Sequence, residues 1–179
     1  MKKVITIAGS NNQKSINKTL IAFVSNLIKD VEIIPIDLND YMLPMYGVDF
    51  EAENDIPLGV KRLDEILNTA DAFIISLAEH NGSYTAVFKN VIDWLSRVHM
   101  KIWRDKPMLL MATSPGGRGG ATVLQSASDY FPFLGAKIIA TYSLPSFYDN
   151  FREGKVIEEN FRKELEDKIT RFSNGIKRI

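Results

Sequence analysis

Val4-Ile5-Thr6-Ile7-Ala8-Gly9-Ser10-Asn11-Asn12-Gln13-Lys14-Ser15-Ile16-Asn17 is the stretch on which the fold turns. It opens as an apolar, β-branched run, the composition of a strand buried on both faces. At Gly9 the run breaks into a loop of hydroxyl and amide side chains. From Asn17 the period changes, with Leu20, Val24, Leu27 and Ile28 falling on one face of a helix. Strand, polar loop and helix therefore follow without a spacer. The opening N–H groups of a helix have no partner inside it, and the helix dipole adds partial positive charge there. Ser10, Ser15 and the Asn17 amide add donors at the same point, so a phosphate suits this loop.

Two glycine-rich phosphate patterns fail here. A Walker loop needs Gly directly before its Lys-Ser pair and again five residues earlier; Gln13 and Ala8 hold those places. A dinucleotide fingerprint needs Gly-x-Gly, and Asn11 follows Gly9 and Ser10. What remains is a loop whose side-chain hydroxyls wrap a terminal phosphate. An ordinary strand–helix turn with Ser15 as N-cap accounts for the same residues, and the loop alone does not separate the two.

Composition narrows the function classes. The chain has 179 residues, 45% hydrophobic and 25% charged, which predicts one globular domain over residues 1–179. Its 22 Lys and Arg balance its 22 Asp and Glu. A general nucleic-acid surface needs excess positive charge, so no nucleic-acid partner is expected, nor an acidic carrier that docks by charge. The absence of cysteine excludes disulfides, thiol catalysis and Cys-ligated metals. Met1-Lys2-Lys3 leads straight into a strand, without a signal-peptide core. No apolar run is long enough to span a bilayer. The expectation is a cytoplasmic protein with no membrane partner.

Outward from the first helix, Glu32 to Asp37 reads as a second strand whose Pro35 cannot donate to a ladder, which assigns it to a sheet edge. Asp37 lies about 20 residues beyond the loop, where a dinucleotide fold carries its ribose acid; without the glycines it reads as a strand-end residue. Residues 38–56 form a long connection that either walls a ligand site, meets a partner subunit or simply packs. Asp55-Ile56-Pro57 reads as a helix start with a capping acid, and Val60, Leu63 and Leu67 as its inner face. Residues 71–77 make a continuous apolar strand suited to the sheet centre. Residues 78–84 form a polar loop, followed by a helix with Val87, Phe88, Val91, Ile92, Leu95 and Val98 at helical spacing.

A fourth strand, 106–113, ends in Ser114-Pro115-Gly116-Gly117-Arg118-Gly119-Gly120, where glycines let backbone approach a flat ligand. A helix over 121–133 and a fifth strand over 137–144 follow. Ile157, Phe161, Leu165, Ile169, Phe172 and Ile176 mark a last helix, opened by Glu158 and Glu159 and closed by Lys177 and Arg178. Alternating strands and helices predict an α/β fold, a parallel sheet with helices on both faces; the flavodoxin order 2-1-3-4-5, in a three-layer sandwich with a five-stranded sheet, is the arrangement expected for it. That order brings the loops after strands one, three and four to one edge, where a phosphorylated planar cofactor fits.

At these residues the sequence resembles the NADPH-dependent FMN reductase family, which includes quinone, azo and chromate reductases. The family's Gly-Ser-x-Arg-x-x-Ser-x-Asn is matched by Gly9-Ser10-Asn11-Asn12-Gln13-Lys14-Ser15-Ile16-Asn17. Its Pro-Glu-Tyr-Asn-Gly-Ser and Leu-Lys-Asn-x-x-Asp-Trp are matched by Ala78-Glu79-His80-Asn81-Gly82-Ser83 and Phe88-Lys89-Asn90-Val91-Ile92-Asp93-Trp94. Its Asp-Leu and Leu-Pro-x-Tyr are matched by Asp37-Leu38 and Leu43-Pro44-Met45-Tyr46. Asn12 stands where the family has Arg, with Lys14 as a partial replacement; His80 stands for Tyr and Ala78 for Pro.

The resemblance implies bound FMN, with NADPH or NADH as hydride donor. Ser10, Ser15 and Asn17 then hold the phosphate, with Asn12 and Ile16 in the same cofactor-binding loop. Glu79, His80, Asn81 and Gly82 run along the ring edge, and Ser114, Gly116 and Gly117 flank the ring or ribityl chain. It also implies a ping-pong cycle to a quinone, azo compound or free flavin, a homodimer or homotetramer, and no catalytic acid or base. Neither His80 nor His99 has companions at metal-ligand spacing, so no metal is expected. Trp94 and Trp103 read as packing or subunit-contact residues, Lys89 and Asp93 as a surface pair or, as the resemblance implies, part of a helix used in oligomer contact, and Arg118 as either a nicotinamide-phosphate contact or an exposed side chain. Two other readings stay open: a flavodoxin-like electron carrier that takes no hydride, and a flavin-free interaction protein keeping the fold.

Overall fold

Apolar β-branched runs make the centre of the molecule. The computed structural model describes residues 1–178. Strands β1 (Lys2–Gly9), β2 (Val31–Ile36), β3 (Ala72–Leu77), β6 (Lys106–Thr113) and β7 (Ala136–Leu144) form one parallel sheet in the order β2-β1-β3-β6-β7. This is the expected order, with Pro35 on the edge strand, opposite Thr6. All six residues of β3 are buried, as the uninterrupted apolar run requires.

Side chains alternate between two cores because successive strand residues point to opposite faces. Ile5, Ile7, Phe73, Ile75, Met108 and Leu110 face helices α3 (Leu58–Asn68), α4 (Ala86–Val98) and α5 (Ala121–Tyr130). Val4, Ala8, Ile74, Leu109, Met111 and Tyr142 face α1 (Ile16–Leu27) and α7 (Glu159–Lys177). Trp94 and Trp103 are both packing residues of the first core. Trp94 meets Tyr46 edge-on at 5.1 Å, and Trp103 lies 5.1 Å from the Phe131 ring.

Several local expectations give way to the fold. Leu27 is 42% exposed, because the buried stripe of α1 runs through Leu20, Ile21 and Val24 and then to Ile28. Asp55 does not cap α3. It ends a short helix, α2 (Val48–Asn54), at φ 61° and pairs with Lys61, while Pro57 occupies the N-cap place without a side-chain bond. The helix expected to reach residue 133 stops at Tyr130. Ile157 precedes α7, which Glu158 caps by accepting the Phe161 N–H at 2.8 Å. Between β7 and α7 lie a four-residue helix, α6 (Phe147–Asn150), and a small hairpin of β8 (Phe151–Arg152) and β9 (Lys155–Val156).

The two motif segments around Pro44 and Asn90 hold each other. Asn90 Oδ1 accepts the Tyr46 N–H at 2.7 Å, and Asn90 Nδ2 and Trp94 Nε1 both donate to the Pro44 carbonyl, at 3.0 and 2.8 Å. The long connection after β2 is therefore clamped onto α4.

Candidate functional site

Three loops leave the carboxyl ends of β1, β3 and β6. The first begins at Gly9, where a Cβ would stand 3.1 Å from Leu77 Cδ2 and 3.4 Å from Phe88 Cγ. Thr85 fixes this corner: its hydroxyl donates to the Gly9 carbonyl at 2.9 Å and accepts the Phe88 N–H that opens α4. The loop then folds on itself. Asn12 N–H donates to Ser10 Oγ at 3.2 Å, Lys14 N–H to Asn12 Oδ1 at 2.9 Å, and Ser15 N–H to the Asn12 carbonyl at 3.1 Å. Ser15 is the N-cap of α1, accepting the Lys18 N–H. As acceptors in these bonds, the Ser10 and Ser15 hydroxyls keep their own protons for a ligand. The N–H groups of Ile16 and Asn17, in the first turn, precede any intrahelical acceptor.

The Asn17 side chain has other partners. It is 1% exposed. Its Oδ1 accepts Ser76 Oγ at 2.7 Å and Thr113 N–H at 3.2 Å, and its Nδ2 donates to the Thr113 carbonyl at 3.2 Å. It ties α1 to β3 and β6, which leaves its backbone N–H, not its amide, for a ligand.

The second loop is a tight hairpin of β4 (Glu79–His80) and β5 (Ser83–Tyr84), with Glu79 opposite Tyr84 and His80 opposite Ser83. Asn81 at φ 51° and Gly82 at φ 75° supply the two left-handed residues that a type I′ turn demands. The Glu79 carboxylate accepts the Val123 N–H at 2.9 Å, capping α5, whose N-cap Gly120 has no side chain to do so. Tyr84 stacks against Phe131 with centroids 6.1 Å apart and planes 6° from parallel. Its buried hydroxyl has no partner among the described residues, and burial pushes its pKa up to about 12.

In the third loop the glycines divide. At Gly119 (φ 59°) a Cβ would collide with Ser143 Oγ and with Pro145 N; at Gly120 (φ 76°) it would stand 3.0 Å from Ala112 Cβ. Those two serve the fold. At Gly117 a Cβ would meet nothing within 4 Å, and at Gly116 only Ser114 Oγ at 3.9 Å, so neither is required by packing. Arg118 donates to Thr122 Oγ1 at 2.6 Å.

These loops enclose a cavity of about 310 Å³. Of the residues singled out from the sequence, Ser10, Asn12, Ser15, Ile16, Asn17, Glu79, His80 and Ser114 line it. Asn81, Gly82, Gly116 and Gly117 lie outside its lining. Thr113 and Tyr148 are lining residues that sequence reasoning missed. Thr113 is a strand end beside the Gly-rich loop, a position that could have been named; Tyr148 lies in a segment without periodicity or motif.

A larger cavity of about 590 Å³ lies between α1 and β2, floored by Ile21, Ala22 and Ile33. The Lys18 ammonium at its edge is 2.6 Å from Asp37 Oδ2, and this bond holds the Asp37 carboxyl below its usual range. Asp37 also accepts the Asn39 N–H at 3.0 Å, so it is a strand-end residue here. Its cation is already paired, and its one buried unpartnered donor among the described residues is the Ser25 hydroxyl. Among the described residues no group of His, Cys, Asp or Glu gathers as metal ligands.

Residues 2–149 match the family model described as NADPH-dependent FMN reductase. A quinone reductase of Escherichia coli is 27% identical over 188 residues, covering 99% of this chain and 96% of its own. A 2-hydroxy-1,4-benzoquinone reductase of a Burkholderia species is 25% identical, covering 98% of this chain and 96% of its own. Among solved structures, the flavoenzyme NAD(P)H:(acceptor) oxidoreductase FerB of Paracoccus denitrificans superposes with a TM-score of 0.78 at 27% identity, covering 99% of this chain and 98% of its own.

Proposed function

Because the chain belongs to the NADPH-dependent FMN reductase family, we propose that it is an FMN-dependent oxidoreductase that takes electrons from NAD(P)H and delivers them to a small quinone-type acceptor. The observation that carries this reading is the meeting of the loops after β1, β3 and β6 around one cavity rich in unused donors. The residues fit FMN. The Ser10 and Ser15 hydroxyls, the Ile16 and Asn17 N–H groups and the Lys14 ammonium suit a phosphate, and the open Gly116 and Gly117 leave room beside it.

Bound FMN would supply the redox chemistry, accepting a hydride from the nicotinamide and passing electrons on. The chain binds and orients. Asn17 fixes the start of α1 against β3 and β6, so the first-turn N–H groups stand in a set place. Glu79, held by α5, fixes the hairpin whose backbone N–H groups we assign to the polar edge of the ring. We assign no side chain as acid or base. The two substrates use the site in turn, so double-reciprocal plots of initial rate against NADPH at several acceptor concentrations run parallel. The names of the E. coli and Burkholderia relatives support a quinone as acceptor. We also propose a homodimer or homotetramer, supported by exposed Met42, Met45, Val48 and Leu58 around the clamped connection. Light scattering that returns only the 20.2 kDa monomer overturns that part.

The test of function is an absorbance spectrum after reconstitution with excess FMN and desalting. Retained flavin bands that bleach on anaerobic addition of NADPH or NADH support the reductase. Retained bands that neither nucleotide bleaches favour an electron carrier. No retained flavin, with no fluorescence change on titration, rejects both.

A further inference from the structure

We propose that Tyr148 is a phosphate ligand of this site, its hydroxyl donating a hydrogen bond to the phosphate that residues 10–17 hold. The inference rests on the FMN reading of the cavity.

Tyr148 lines the same cavity as Ser10, Asn12, Lys14 and Ser15, from the opposite end of the sequence. Its side chain is 64% exposed, and its hydroxyl has no hydrogen-bond partner among the described residues. A large aromatic residue serving the core would be buried among apolar neighbours. This one stands beside a lining of hydroxyls and amides, with its polar end unused.

The residue is held firmly in place. Ser146 N–H donates to the Gly116 carbonyl at 2.9 Å and Phe147 N–H to the Ser114 carbonyl at 3.0 Å, so the turn before Tyr148 is bonded to the Gly-rich loop. Asn150 Nδ2 closes the same turn on the Pro145 carbonyl at 2.8 Å. Ser146 takes a left-handed conformation at φ 45°, which costs an L-residue energy and needs such bonds to persist. Phe147 is 5% exposed, stacks on Phe151 at 4.9 Å and meets the Tyr148 ring edge-on at 5.6 Å. The buried neighbour thus braces an exposed ring.

Charge explains why a further donor is needed. A phosphate monoester carries about −1.5 to −2 at neutral pH. Lys14 is the one Lys or Arg in the lining, and Asn12 brings no charge. The Asn17 side chain is buried and bonded to Ser76 and Thr113. Beside Lys14, neutral donors must therefore carry the anion, and those named so far all belong to residues 10–17. The Tyr148 hydroxyl adds one from a separate segment of the lining. A hydrogen bond to a charged group is stronger than one between neutral groups.

The test compares FMN with riboflavin, which has the same ring and no phosphate, on the full chain. Tyr148→Phe removes the hydroxyl and keeps the ring. The expected result is FMN binding weakened roughly tenfold or more, with riboflavin binding unchanged and the melting temperature unmoved. The phosphorus resonance of bound FMN should also shift between wild type and Tyr148→Phe. Equal weakening of both flavins, or of neither, overturns the proposal. Tyr148→Ala separates the alternatives: loss of both flavins there, with Tyr148→Phe silent, makes the residue a wall for the ring. Wild-type protein that binds no FMN rejects the cofactor reading and this inference together. Wild-type binding with an unaffected Tyr148→Phe rejects the inference alone.

Discussion

Glu79 Oε2 accepts the Val123 N–H at 2.9 Å, joining the hairpin after β3 to the first turn of α5. The bond joins the second cavity loop to the helix that follows the third. Gly120 at the N-cap must be glycine for its φ of 76°, so it cannot cap its own helix, and Glu79 does so from outside. A carboxylate is also the charge that a helix N-terminus favours. Glu79→Ala should therefore cost about 1 kcal/mol of stability, the usual worth of a cap, and weaken FMN binding as the hairpin loosens. Glu79→Gln keeps an acceptor oxygen and should lose less of both. Urea unfolding and flavin titration check this; full FMN affinity in Glu79→Ala would show that the hairpin does not depend on the brace.

The Asn17 side chain carries three bonds to two strands and is buried. Replacing it with Ala leaves Ser76 and the Thr113 peptide group without partners inside the protein. Unsatisfied buried groups cost about 1–3 kcal/mol each. Asn17→Ala should lower unfolding free energy by roughly 3 kcal/mol, measured by urea titration of flavin-free protein. Destabilisation below about 1 kcal/mol would mean that the amide is not the tie between α1 and the sheet.

These two residues also mark what the sequence could disclose. The parallel sheet was legible because its strands are apolar runs and parallel strands need helical crossovers, and Pro35 marks one edge; its order follows from the flavodoxin arrangement that gathers the three interrupted loops. The loops of the cavity were legible because polar residues and glycines interrupt those runs. What Asn17 and Glu79 hold was not, since their partners at Thr113 and Val123 are set by tertiary approach. Asn81-Gly82 is a hairpin signal in its own right, which the ligand-contact reading of this loop leaves unused. Helix α2 and helix α6 show no apolar stripe, so in the sequence Asp55 reads as a cap and Tyr148 belongs to no pattern.

The glycines of the third loop should respond differently to the same change. Gly119→Ala forces a Cβ into Ser143 Oγ and the Pro145 backbone at a positive φ. Backbone cannot move aside cheaply, so a loss of several kcal/mol, at least about 3, is expected. Gly117→Ala meets no atom within 4 Å and should leave stability within about 0.5 kcal/mol while reducing FMN affinity. Thermal melts and flavin titrations of the two variants check the contrast. Equal flavin affinity in wild type and Gly117→Ala would remove Gly117 from the cofactor wall.

Tyr84 should govern part of the alkaline limit of the fold. Its hydroxyl is buried without a partner, and burial raises its pKa from 10 to about 12. The unfolded chain therefore loses this proton first. The stability this group contributes is full below pH 10 and falls as pH rises through about 12. Tyr84→Phe keeps the ring on Phe131 and removes both the unpaired hydroxyl and the titration. It should stabilise the protein by about 1 kcal/mol at pH 8, and the gain should widen steadily above pH 10. Urea titrations from pH 8 to pH 11 on both proteins read this directly. A gain that stays flat across pH 10 to 11 would mean that the Tyr84 hydroxyl titrates as it does in the unfolded chain, and a loss at pH 8 would mean that it is hydrogen-bonded in solution.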